Sequence, residues 1–196
     1  MNVRMTPLIE TVRDHRDRFD RFALELRDDE LQRPVPGSGW TVKDYITHIA
    51  TIDLTVREWF RSMVEGTPAI PADPNAKPEE QPAFDIDAWN NKQVARRRDQ
   101  PVETIIEEGR VLRDELLDIM AQFTDEVLDS EIPFPGDANR PAQDINFGAY
   151  LVSWATHEPA HALDMLRALP ERQDNPELRR WLDSVEFQEW PPAKGL

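Results

Sequence analysis

Cysteine is absent from the 196 residues, which excludes disulfides, thiolate metal ligands and a cysteine nucleophile together. Any thiol chemistry therefore needs a thiol from outside the chain. Positive charge is scarce as well: 23 Lys and Arg against 38 Asp and Glu leave a formal net charge of −15. A surface of that sign repels phosphate backbones and anionic bilayers, so no nucleic acid and no membrane is expected as a partner. The one compact basic run, Arg96-Arg97-Arg98, falls in a helical pattern beside Asp99 and reads as a solvated helix end. Long apolar runs are missing too. Nowhere do the roughly 18 apolar residues of a membrane span follow one another, and the opening MNVRMTPLIETVRDHRDRF has no apolar signal core. A cytoplasmic location is the default expectation.

Period-two alternation, the mark of half-buried strands, is also lacking, whereas helical spacing recurs along the chain. Leu8, Val12, Phe19, Phe22 and Leu26 predict a first helix behind Thr6-Pro7, read as its cap and first turn. A second helix opens at Thr41, with Asp44 placed for a capping box, and carries Tyr45, Ile49, Ile52, Val56, Trp59 and Met63. The proline-rich stretch from Thr67 to Phe84 reads as a long surface loop. A third helical region starts at Asp85 to Asp87, breaks at Gln100-Pro101 and resumes from Val102 to Phe123. After a second loop, Ile132 to Asp144, a fourth helix carries Phe147, Leu151, Trp154, His157, His161 and Met165 on one face.

Four long helices predict an all-α, antiparallel four-helix bundle. Residues 1–170 are assigned to it, and residues 171–196 to a packed appendage: a short helix, Pro176 to Phe187 with Trp181 and Val185 inward, and the EWPPAKGL tail.

Only four histidines occur, and two of them, His157 and His161, stand four residues apart on the apolar face of the last main helix. That spacing stacks the imidazoles one turn apart, close enough to chelate one ion. His48 lies at the edge of the buried stripe of the second helix. Bundle metal sites take their ligands from facing helices, and a buried neutral imidazole must satisfy two ring nitrogens, so His48, His157 and His161 form the candidate metal set. His15 falls on the stripe of the first helix, between Val12 and Phe19, and reads as a packing residue or a pocket neighbour.

Residues 157–161 also satisfy H-E-x-x-H, the zinc-protease helix motif in which the glutamate is general base. Pro159 between the two histidines removes a helix hydrogen bond and predicts a kink, and little chain follows to supply a third ligand and a cleft. Glu158 points about 100° away from His157 on an ideal helix, so it is expected in solvent. Asp164, three residues beyond His161, is the carboxylate placed to orient a ligand imidazole or accept a proton, and is the candidate catalytic residue.

The segment Gly39-Trp40-Thr41-Val42-Lys43-Asp44-Tyr45-Ile46-Thr47-His48-Ile49 resembles the G-W-S/T-V-x-D-x-x-x-H-L/I segment of the DinB/YfiT-like superfamily, and His157-x3-His161 resembles that family's closing histidine pair. The resemblance covers residues of about 6 to 170. It implies a four-helix bundle with a three-histidine site for zinc, nickel or a similar divalent ion, usually in a homodimer. It also implies kinship with metal-dependent enzymes of low-molecular-weight thiols, such as mycothiol-dependent maleylpyruvate isomerase and the bacillithiol and mycothiol S-transferases. His161-Ala162-Leu163-Asp164-Met165 is similar to the H-x-x-D-L segment of the maleylpyruvate isomerase branch. That branch tends to place glutamate where His157 stands, and Pro159 departs from both patterns, so the chain mixes features of two branches.

The expected function is a metal-dependent transferase or isomerase that activates a small thiol, or a water, for attack on a small electrophile. Two alternatives stand beside it: a non-catalytic bundle that sequesters a small molecule, and an HExxH zinc hydrolase. Trp89 and Asn90 are candidate pocket-lining residues.

Overall fold

The computed structural model describes residues 2–67, 85–134 and 143–187. Most of the two expected loops and the EWPPAKGL tail lie outside the described residues. In chain order the elements are α1 (Met5–Leu24), α2 (Asp28–Leu31), α3 (Val42–Thr51), α4 (Asp53–Glu65), α5 (Ile86–Arg97), α6 (Val102–Met120), α7 (Asp125–Leu128), β1 (Glu131–Phe134), β2 (Gln143–Asn146), α8 (Phe147–Trp154), α9 (His157–Leu166) and α10 (Pro176–Leu182). The all-α class expected from the sequence is borne out. No helix among the described residues is long and apolar enough to cross a membrane. The chain divides into two compact units, one of Met1–Leu26 with Ala121–Leu196 and one of Arg27–Met120.

In the Arg27–Met120 unit, the capping box read from the sequence is present. Thr41 Oγ1 accepts from the Asp44 amide at 3.2 Å while Asp44 Oδ2 accepts from the Thr41 amide at 2.8 Å, which satisfies two amides that the first turn leaves open. The helix expected to run from Thr41 past Met63 is interrupted at Ile52. Ile52 itself keeps helical dihedrals, φ −60° and ψ −30°, and two features flank it. The Thr47 and Thr51 hydroxyls donate back to the carbonyls of Lys43 at 2.9 Å and Thr47 at 2.8 Å, a pattern that bends helices. Asp53, fully buried at the start of α4, accepts from Arg113 Nε at 2.8 Å and Nη2 at 3.1 Å. α4 stops at Gly66, whose φ of 63° is a left-handed cap that glycine adopts freely.

Asp85 caps α5 by accepting from the Ala88 amide at 2.9 Å, and the break between α5 and α6 falls at Gln100-Pro101 as expected. Arg97 is a correction to the solvated basic run: its Nε donates to Glu108 Oε2 at 2.8 Å, while Arg96 and Arg98 are exposed. Ile46, Ile49, Phe60, Ile105, Leu116 and Met120 form the deepest apolar layer of this unit.

In the other unit α1 starts at Met5, and Arg4 stands in the cap position without a side-chain cap bond. Thr6 is therefore a first-turn residue and not the cap. The expected loop between Ile132 and Asp144 is replaced at both ends by strand: β1 and β2 pair antiparallel with Ile132 opposite Ile145 and Pro133 opposite Asp144. Each strand has four residues, too short for alternation to show in the sequence, and the buried Ile132–Ile145 pair holds the ribbon.

The single helix expected over Phe147 to Leu166 is two, α8 and α9, interrupted at Ala155-Thr156. In a continuous helix the Pro159 ring would strike the carbonyl four residues earlier, that of Ala155. The chain turns there, and α9 begins at His157. α10 is capped by Asn175, which accepts from the Glu177 amide at 3.0 Å and the Leu178 amide at 3.1 Å. It ends at Leu182, short of the expected Phe187. Trp181 is buried on it as expected, whereas Val185 lies beyond the helix and is half-buried.

Candidate metal centre

Two of the candidate ligands sit on α9. His157 is its first residue and His161 lies one turn on. Their Nε2 atoms are 3.1 Å apart, with ring centroids 4.5 Å apart and planes at 76°. Two imidazole nitrogens bound to one tetrahedral ion at Zn–N distances of 2.0–2.1 Å stand about 3.3 Å from each other, so this spacing suits two nitrogens on a single ion. Asp164 Oδ2 lies 3.2 Å from His161 Nδ1. A carboxylate there favours the proton on Nδ1, and the Nε2 lone pair of His161 is then turned toward His157. Both histidines are half-buried.

His48 belongs to the Arg27–Met120 unit. It is buried on α3, one turn beyond Asp44, with the Trp40 ring against it at a centroid distance of 5.2 Å. The indole is in turn held edge-on to Tyr45 at 5.4 Å and donates Nε1–H to Asn91 Oδ1 at 2.8 Å. Trp40 was legible as part of the Gly39-Trp40-Thr41 segment, but Asn91 was missed in favour of its neighbours. Asn90 is buried and Trp89 half-buried. His157 and His161 are thus near neighbours on α9, and His48, the third candidate ligand, belongs to the other unit.

His15 is buried on α1, where its Nδ1 accepts from Trp181 Nε1 at 3.0 Å. Burial pushes its pKa below the usual imidazole value, opposed in part by the nearby Glu158 carboxylate. Glu158 itself corrects the sequence reading. It is not in solvent but fully buried, and its Oε1 accepts from Arg16 Nε at 3.2 Å. A carboxylate enclosed beside a guanidinium is poorly placed as the general base of an H-E-x-x-H hydrolase. Arg16 was not identified from the sequence, because one arginine in an amphipathic helix carries no signal of its partner 142 residues away.

The helices and the histidine pair define a mostly helical protein with donors suited to a divalent ion. Residues 11–165 match the DinB superfamily, and the chain belongs to that superfamily. Among solved structures it is similar to the mycothiol-dependent maleylpyruvate isomerase, with a TM-score of 0.57 and 14% identity over 84% of this chain and 63% of that one. It is likewise similar to a histidine-to-alanine mutant of that isomerase, with a TM-score of 0.57 and 13% identity at the same coverages. The chain thus spans 63% of the length of those solved chains. At such identities the likeness shows the fold, and the DinB-like helical fold expected from the sequence is borne out. Comparison with curated proteins gives no match.

Proposed function

We propose that His48, His157 and His161 hold one divalent metal ion, zinc or nickel, and that the protein is a metal-dependent transferase or isomerase acting with a small thiol or with water on a small electrophile. The observation that carries this reading is the 3.1 Å approach of His157 Nε2 to His161 Nε2. Membership of the DinB superfamily and a fold shared with a mycothiol-dependent isomerase support it.

His48, His157 and His161 would hold the ion, and a divalent metal there would make a bound thiol or water acidic near neutral pH. The chain supplies the rest. Asp164 Oδ2 holds the Nδ1 proton of His161 and keeps that ring in the ligand tautomer. Trp40, braced by Asn91, fixes the ring of His48. With no cysteine in the sequence, the nucleophilic sulfur of a thiol reaction would come from a second small molecule: its S–H gives up the proton, sulfur bonds to the electrophile, and the electron pair displaced there departs with the leaving group or, in an addition, stays on the electrophile and takes up a proton.

The test has two arms. Purified protein, reconstituted with Zn2+ or Ni2+ and desalted, is analysed for bound metal, with about one equivalent expected in the wild type and a loss in His48→Ala and His157→Ala. The loaded protein is then incubated with a panel of low-molecular-weight thiols and electrophiles, and metal-dependent turnover of at least one pair is expected. Absence of stoichiometric metal overturns the site. Full metal with tight binding of a small molecule but no turnover overturns the catalytic half of the reading.

A further inference from the structure

His157 is the first residue of α9, and the first turn of a helix has no intrahelical partners for its amides. Thr156 makes no side-chain cap bond, and Pro159 has no N–H. What the fold does supply is Glu158: its carboxylate is fully buried, sits in the first turn where a negative charge meets the positive end of the helix dipole, and is bonded to Arg16, whose side chain is 3% exposed. Taking two ions out of water is costly, and apolar residues of similar volume are often no less stabilising. A buried pair placed one residue after His157 and three before His161 therefore asks for a role in geometry.

We infer that Arg16, acting through Glu158, is a positioning residue that orders the first turn of α9 and thereby sets where His157 and His161 present their Nε2 atoms. This rests on the metal reading above. Arg16 on α1 supplies the guanidinium, Glu158 transmits the constraint to the backbone, and the two imidazoles flank the anchored residue along the helix. In this role Arg16 acts on the ion through Glu158 and the turn.

The test uses the full chain as wild type, Arg16→Lys, Arg16→Met and the double variant Arg16→Met with Glu158→Met. Zn2+ affinity is read by competition with a chromophoric chelator, and the geometry of the loaded site by the visible absorption of Co2+. Arg16→Met is expected to bind Zn2+ about 10–100-fold more weakly, and Arg16→Lys to recover part of the loss. The double variant, which leaves no charge of the pair buried alone, is expected to regain thermal stability while keeping the weak affinity and a shifted Co2+ band. A pair that is only structural would regain both, and that result overturns the inference. Hydrogen exchange of the metal-free protein reads the same idea without any ion. The amides of Glu158, Ala160 and His161 should exchange faster in the double variant than in the wild type, and equal rates overturn the inference. Wild-type protein that takes up no Zn2+ or Co2+ overturns the three-histidine reading instead, and the exchange rates still decide whether Arg16 orders the turn.

Discussion

Trp181 donates its indole N–H to His15 Nδ1 at 3.0 Å, joining the last described helix to the first within one unit. The bond needs the lone pair of a neutral imidazole. Burial holds the pKa of His15 below its usual 6.5, so as pH falls the unfolded chain takes up this proton before the folded chain does. The contribution of neutral His15 is full above pH 6.5 and is lost as pH drops from there through the lowered folded value. Urea midpoints of the wild type should therefore fall on going from about pH 7.5 to about pH 5, and His15→Gln should flatten that slope. Identical slopes in the two proteins would refute the assignment. Trp181→Phe, which leaves a buried acceptor without its donor, is expected to cost about 1–3 kcal/mol at neutral pH.

Asp53 and Arg113 make the corresponding buried pair of the Arg27–Met120 unit, with Nε to Oδ2 at 2.8 Å and side chains 0% and 3% exposed. Removing one partner strands the other charge, so Asp53→Asn or Arg113→Met should destabilise by about 3–5 kcal/mol in chemical denaturation. The double variant Asp53→Leu with Arg113→Met removes both charges and should recover most of the loss. Additive losses in the double variant would show that the two side chains act independently.

The 3.2 Å contact of Asp164 Oδ2 with His161 Nδ1 predicts a separation of binding from stability. Asp164 is more than a third exposed, and its removal should change folding stability by less than about 1 kcal/mol. Asp164→Ala should nonetheless weaken Zn2+ binding about 10–100-fold, because the Nδ1 proton of His161 loses its acceptor. Asp164→Asn, whose amide oxygen still accepts but carries no charge, should fall between. Wild-type affinity in Asp164→Ala would remove this residue from the site.

What could be read from the sequence was whatever is encoded locally. The Thr41–Asp44 capping box, the Asp85 cap, the Gln100-Pro101 break and the one-turn stacking of His157 on His161 each depend on residues within four positions of one another. The misreadings share a different cause. Glu158 was assigned to solvent from its angle on an ideal helix, but which face of α9 is inward depends on Arg16, far away in the chain. Asp53, next to the interruption at Ile52, is buried against Arg113, 60 residues on. The β1–β2 ribbon depends on Ile132 meeting Ile145 across a loop, and four residues per strand are too few for a period to emerge. Long-range partners decide these features, and composition or spacing cannot name such partners.

Pro159 allows the sharpest separation of fold from site. The chain is interrupted at the carbonyl its ring would strike, with Thr156 at φ −93° and ψ 11°, so that Pro159 becomes the third residue of α9. A missing N–H there leaves no helix bond unmade, and the proline itself is not under strain. Pro159→Ala removes the obstacle at Ala155 and lets α8 and α9 join in one run. Folding stability should change by no more than about 1 kcal/mol in either direction, and far-UV circular dichroism should show equal or greater helix content. The H-x3-H spacing survives the substitution, so a change in metal binding would come from redirection of α9 as a body. We expect Zn2+ affinity to fall about tenfold or more, on the scale of other supporting-residue losses. If helix content rises while affinity stays at the wild-type level, the interruption before His157 has no part in setting the metal centre.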